Sequence, residues 1–87
     1  MITVNENCAI IAENTPRPER YRYINPQHWR VMVGQIAARI RHSGEDRPEA
    51  CAKAATGQAG GHVWVTGSMF EGVTRIVAAR IRTGGQE

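Results

Sequence analysis

Long apolar runs are missing from this chain: no stretch approaches the roughly 18–20 residues that a membrane-spanning helix needs. Its first residues, Met1-Ile2-Thr3-Val4-Asn5-Glu6, lack the basic segment and apolar stretch of a secretory signal, so the expected compartment is the cytoplasm and no membrane partner is expected. Cysteine is scarce. A small secreted domain usually carries several disulfides, whereas here Cys8 and Cys51 stand far apart with no close partner. Two buried or half-buried thiols are expected, and a Cys8–Cys51 bridge stays open. The three histidines, His28, His42 and His62, form no C-x-x-C or H-x-x-x-H pair with each other or with the cysteines, which argues against a metal or other cofactor.

Lysine is scarcer still, with Lys53 alone among eleven basic residues. The Gly57-Gln58-Ala59-Gly60-Gly61 stretch is therefore no phosphate loop, which needs a strand before it and Gly-Lys-Ser/Thr after it. Nothing places Ser68 beside His62, or a cysteine beside a histidine, as nucleophile and base. The acidic residues cluster only at Glu45-Asp46-Glu49, next to a helix start. The chain is not expected to be an enzyme.

What is present suits one small domain over residues 1–87, with 41 % hydrophobic residues to build one core. The net charge is +3, and it is concentrated: residues 17–42 carry six Arg against one Glu. Arginine forms planar, forked contacts to phosphate and carboxylate, which suits an anion-binding surface; a GC-rich genome writes the same bias.

The patterning predicts an α+β domain, a two-layer fold with a short antiparallel or mixed sheet of three to four strands. Residues 2–12 alternate Ile2, Val4, Cys8 and Ile10 with polar or small residues, as a strand or a hairpin turning at Asn5-Glu6-Asn7. Tyr21-Arg22-Tyr23-Ile24 reads as a short strand. Asn25-Pro26 then caps a main helix over about 26–42, whose stripe is Trp29, Val33, Ile36 and Ile40 with Met32 beside it, ended by Gly44. A short helix over about 47–56 starts behind Asp46 and ends at Gly57. His62-Val63-Trp64-Val65-Thr66 reads as a strand, and a second main helix over about 69–82 carries Phe70, Val73, Val77 and Ile81. Thr83–Glu87 should fray.

An offset of 41 aligns Ile36–Gly44 with Val77–Gly85, identical at six of nine positions, and pairs Trp29 with Phe70, Tyr23 with Trp64 and Ile24 with Val65. This reads as a duplicated β-α unit, 21–44 and 62–85. The first copy alone is preceded by an Arg-rich, tyrosine-bearing segment. In a strand, Tyr21 and Tyr23 share one face and Arg20 and Arg22 the other, so the tyrosines either stack bases or pack in the core. Arg17, Arg20, Tyr21, Arg22 and Tyr23 are the candidate macromolecule-binding residues, joined by Arg30, Arg41, Arg75 and Arg82 on the outer sides of the main helices. The last-turn arginines also suit the helix dipole without any ligand.

The expected function is that of a non-enzymatic binding or regulatory protein docking this Arg/Tyr surface on nucleic acid. The alternative is a protein-directed inhibitor or adaptor, of the kind mobile elements encode, against an acidic or nucleic-acid-handling partner. Residues 20–56 also have the strand-helix-helix order of a ribbon-helix-helix DNA binder, a fold that leaves no place for the C-terminal unit. Gly34 and Ala38, four apart beside Val31, permit close helix approach, within the domain or across a homodimer.

Overall fold

The structure is a computed structural model, and it describes residues 2–56 and 67–85. The described residues form four helices, α1 (Val4–Glu13), α2 (Pro26–Ser43), α3 (Pro48–Ala55) and α4 (Gly67–Arg82), with a 3₁₀ turn at Glu19–Tyr21. Among the described residues there is no strand, so the α+β sheet expected from the sequence does not exist. The expected strand at His62–Thr66 lies outside the described residues, as does the Gly57–Gly61 linker.

Residues 2–12 are the largest correction. Thr3 caps α1, its hydroxyl accepting from the Glu6 amide at 3.0 Å, so Thr3-x-x-Glu6 is half of a capping box. The residues buried on α1 are Cys8, Ala9 and Ala12, a helical face and not an alternating one. The β-branched Ile2 and Val4, which suggested a strand, are 57 % and 41 % exposed. Tyr21-Arg22-Tyr23-Ile24 is corrected too. The Tyr21 amide donates to Pro18 O and the Ile24 amide to Tyr21 O, winding the segment into tight turns.

The helices with strong punctuation stand where expected. The Asn25 side chain accepts from the Gln27 amide at 2.7 Å, Pro26 occupies the first helical position, and Gly44 closes α2 at φ 70°. Arg47, without a side-chain cap bond, precedes α3 in place of Asp46, with Pro48 opening the helix. Helix α4 begins two residues earlier than expected. After α4 the Gly85 amide donates to Arg80 O at 2.7 Å, and Gly84 and Gly85 adopt positive φ; Gln86 and Glu87, the last of the segment expected to fray, lie outside the described residues.

Helices α1 and α2 form one hairpin and α3 and α4 another, each pair packing more extensively than any other pairing. The correspondence between them runs deeper than the offset of 41 suggested. The buried set of α2 is Trp29, Met32, Val33, Ile36, Ala37 and Ile40; that of α4 is Phe70, Val73, Thr74, Val77, Ala78 and Ile81, the same six positions shifted by 41. Helices α1 and α3 correspond as well, at an offset of 43. Glu6-x-Cys8-Ala9-x-x-Ala12 repeats as Glu49-x-Cys51-Ala52-x-x-Ala55, and the buried residues of each helix are its cysteine and two alanines. The matching segments are thus helical hairpins, whereas the strand part of the expected unit fails in the first copy. Small alanines on α1 and α3 let the bulky stripes of α2 and α4 fill the centre, where Phe70, Met32, Ile36 and Ile40 are fully buried.

Candidate functional site

The segment between α1 and α2 carries most of the predicted site residues, and its seating begins at Thr15. The Thr15 hydroxyl donates to Ile11 O at 2.9 Å, and its carbonyl accepts from the buried Trp29 indole N–H at 2.9 Å. Pro16 and Pro18 restrict the chain beyond it. Arg17 turns back on the segment: Nη1 donates to Arg22 O at 3.0 Å and also to Ile24 O. In a sheet those carbonyls would have a neighbouring strand; here one guanidinium satisfies both. Part of Arg17's donor set is therefore structural.

The turn sends the two tyrosines in different directions, unlike the shared face expected of a strand. Tyr21 is half-buried and stacks on Trp29, ring centroids 6.2 Å apart, with its hydroxyl reaching α4 at Gly72. A β-carbon on Gly72 would sit 2.5 Å from that oxygen, so glycine is what admits it. Tyr23 points outward at 66 % exposure, the highest of the large apolar side chains among the described residues, with its ring 6.1 Å from that of Tyr21. Arg20 lies over the Tyr21 ring at 5.5 Å, a cation–π contact. Arg22 is exposed and pairs with Glu19 at 2.6 Å.

Two hollows share the wall Thr15-Pro16-Arg17. One, of about 290 Å³, is lined by Glu13, Pro26, Trp29 and Arg30 among others, so Arg17 and Arg30 face one space. The other, about 580 Å³ and mostly apolar, lies between Pro16, Pro18 and the outer flank of α4 at Ile76, Ala79, Arg80 and Thr83. Sequence reasoning missed this groove. Ile76 was its signal: an isoleucine beside the α4 stripe, only half-buried in the folded chain. Arg80 spans the groove's edge, donating to Asn14 O at 3.2 Å and to Gly85 O at 2.8 Å.

The remaining predicted arginines are engaged by carboxylates. Arg41 at the end of α2 grips both acids of α1: Nε and Nη2 reach Glu6 at 2.9 and 2.8 Å, and Nη2 reaches Glu13 at 2.8 Å. Arg82, its counterpart on α4, forks onto Glu49 of α3 at 2.9 and 3.2 Å. The pKa values of both arginines are raised by the carboxylates they hold, while Glu6 is lowered by its hydrogen bond to Arg41 and Glu49 by its hydrogen bond to Arg82. Arg75 pairs with Glu71 at 2.6 Å along its own helix. Arg17, Arg20, Tyr21, Arg22 and Tyr23 thus lie on one turn, with Arg30 sharing a hollow with Arg17, while Arg41, Arg75 and Arg82 are each held by carboxylates.

Among the described residues, Gly34 and Ala38 serve no contact with another helix. A β-carbon on Gly34 would meet nothing within 4 Å, and neighbouring Val31 is exposed. Among the described residues no three His, Cys, Asp or Glu side chains cluster as metal ligands, and no helix is long and apolar enough to cross a membrane. No family model, curated protein or solved structure matches this chain.

Proposed function

We propose that this chain acts by binding and not by catalysis, and that the Arg17–Arg30 face docks on nucleic acid. One observation carries the reading: Tyr23 is exposed on an Arg-rich turn, beside a Tyr21 that Arg20 covers and that is anchored to the core through Trp29. An exposed ring on a rigid seat stacks a base without first losing much conformational freedom, and flanking guanidiniums meet the phosphates. Arg20 and Arg30 have no carboxylate partner among the described residues, so phosphate displaces no ion pair from them. Arg22, Arg75 and Arg82 would each have to surrender one, and Arg41 two, which puts Arg20 and Arg30 first among the candidates.

Fluorescence anisotropy with single-stranded and duplex oligonucleotides tests this. Binding is expected at low salt, weakening on a log–log salt plot with a slope of about −0.7 for each single-strand phosphate contacted. Tyr23→Ala should cost about 1–3 kcal/mol of affinity, the range for one stacked base. Arg20→Ala with Arg30→Ala should flatten the salt slope. No binding of either probe at low salt overturns the reading.

The apolar groove beside Pro16 and Pro18 favours a second reading, a protein partner held through this same loop. A pull-down after nuclease treatment would then recover one stoichiometric partner, and Ile76→Asp in the groove would abolish the capture. Retention of the partner by that variant counts against it.

A further inference from the structure

Cys8 and Cys51 stand at corresponding positions of the repeated Glu-x-Cys-Ala-x-x-Ala pattern, one on α1 and one on α3. Both are unbridged, both belong to one core cluster, and they are 2 % and 0 % exposed. A shared acceptor brings them together. The Glu45 carbonyl, between α2 and α3, accepts from Asn5 Nδ2 at 2.7 Å and from the Cys51 thiol at 3.4 Å. Asn5 lies three residues before Cys8, one helical turn away on the same face of α1. The Cys51 sulfur therefore sits against the Asn5–Cys8 stripe of the opposite hairpin.

We propose that Cys8 and Cys51 are a modification site: under a small-molecule disulfide oxidant they close an intramolecular disulfide that staples α1 to α3. The chemistry is thiol–disulfide exchange. One cysteine gives up its proton and its thiolate attacks a sulfur of the small disulfide, whose S–S bond breaks and releases one small thiol. The second cysteine then loses its proton and attacks the protein sulfur of the mixed disulfide, expelling the other small thiol. Two protein thiols lose two electrons and two protons; one small disulfide gains them and becomes two thiols.

The setting also fixes when this happens. Burial, then the hydrogen bond to Cys8, push the Cys51 thiol up to about 12, so it stays protonated at neutral pH. With both cysteines buried, the first attack waits for α1 to lift from α3. The pair is silent in the closed fold and is captured on local opening. Closing a loop of this length then raises stability by constraining the unfolded chain.

The full chain is incubated with excess oxidised glutathione at pH 8, in buffer and in urea well below the unfolding midpoint, then analysed by intact mass and non-reducing peptide mapping. The expected product is a monomer lighter by two hydrogens, with the Cys8 and Cys51 peptides linked. It should form faster in urea and melt at least about 5 °C above the reduced protein. Cys8→Ala and Cys51→Ala should each stop at a glutathione adduct; should either fail to fold, the wild-type peptide map decides alone. Glutathione on both cysteines without a link, disulfide-bonded dimers only, or a linked product that melts below the reduced chain overturns the proposal.

Discussion

Between Gly72 and Tyr21 there is no room for one more carbon, and the cost of adding it is set by two opposed terms. Alanine in a helix interior is favoured over glycine by about 1 kcal/mol. The added methyl would lie 2.5 Å from the Tyr21 hydroxyl but at an ordinary 3.7 Å from the ring carbon that bears it. Gly72→Ala alone should therefore gain little or nothing, while displacing Tyr21 and shifting the Trp29 indole resonance in NMR spectra. With Tyr21→Phe removing the hydroxyl, the same Gly72→Ala change should recover about 1 kcal/mol in urea unfolding. Glu6 yields a pH prediction. Its pKa is lowered in the folded chain by Arg41, so that stabilisation is present above the ordinary value of 4.5 and is lost as pH falls through the folded value. Arg41→Met should melt lower than wild type at neutral pH, and the gap between the two should close in acid. At this scale the sequence was partly legible. Arg17, Arg20, Arg22, Tyr23 and Arg30 do share a region, but nothing local showed that Arg41 would find Glu6 and Glu13, which lie 35 and 28 positions away.

Helices α2, α3 and α4 were readable because each joins a periodic apolar face to punctuation: Asn25-Pro26 and Gly44 around α2, Pro48 opening α3. Removing a stop signal should have a measurable price. Gly44→Ala forces a β-carbon into the left-handed region and should cost about 1 kcal/mol, seen as a lower urea midpoint with unchanged slope. Helix α1 was misread because the alternation of Ile2 with Val4 and of Cys8 with Ile10, mostly β-branched, outweighed a quieter pattern. That pattern was the Thr3-x-x-Glu6 cap with small residues at 8, 9 and 12, and packing against α2 decided for it. Thr3→Ala tests the point: it should lower stability by about 1 kcal/mol, an effect a strand at this position would not show. Tyr21–Ile24 is too short for periodicity to discriminate strand from turn, and the carbonyl acceptors of Arg17 settle it.

For the whole molecule, the correspondence between hairpins is what the sequence disclosed only in part. The offset of 41 found the long helices. The offset of 43 that relates α1 to α3 was hidden because the connections between the helices of each hairpin differ, and a single shift cannot follow both. The two arginine forks, Arg41 onto Glu6 and Arg82 onto Glu49, are the ionic sign of the same correspondence. The connections are where the copies part. Residues 14–25 hold three arginines and two tyrosines, while residues 57–66 hold none of either, so the proposed binding face belongs to one hairpin alone. The way α4 closes bears on how that face should be handled at the bench. Gly85 rests against Ile11 in the last turns of α1, and Arg80 links it to Asn14, immediately before Thr15-Pro16-Arg17. Val4 lies at the far end of α1, about 15 Å away at the helical rise. A bulky group coupled at position 85 would sit beside the face and obstruct it, so coupling at position 4 instead should give the higher apparent affinity.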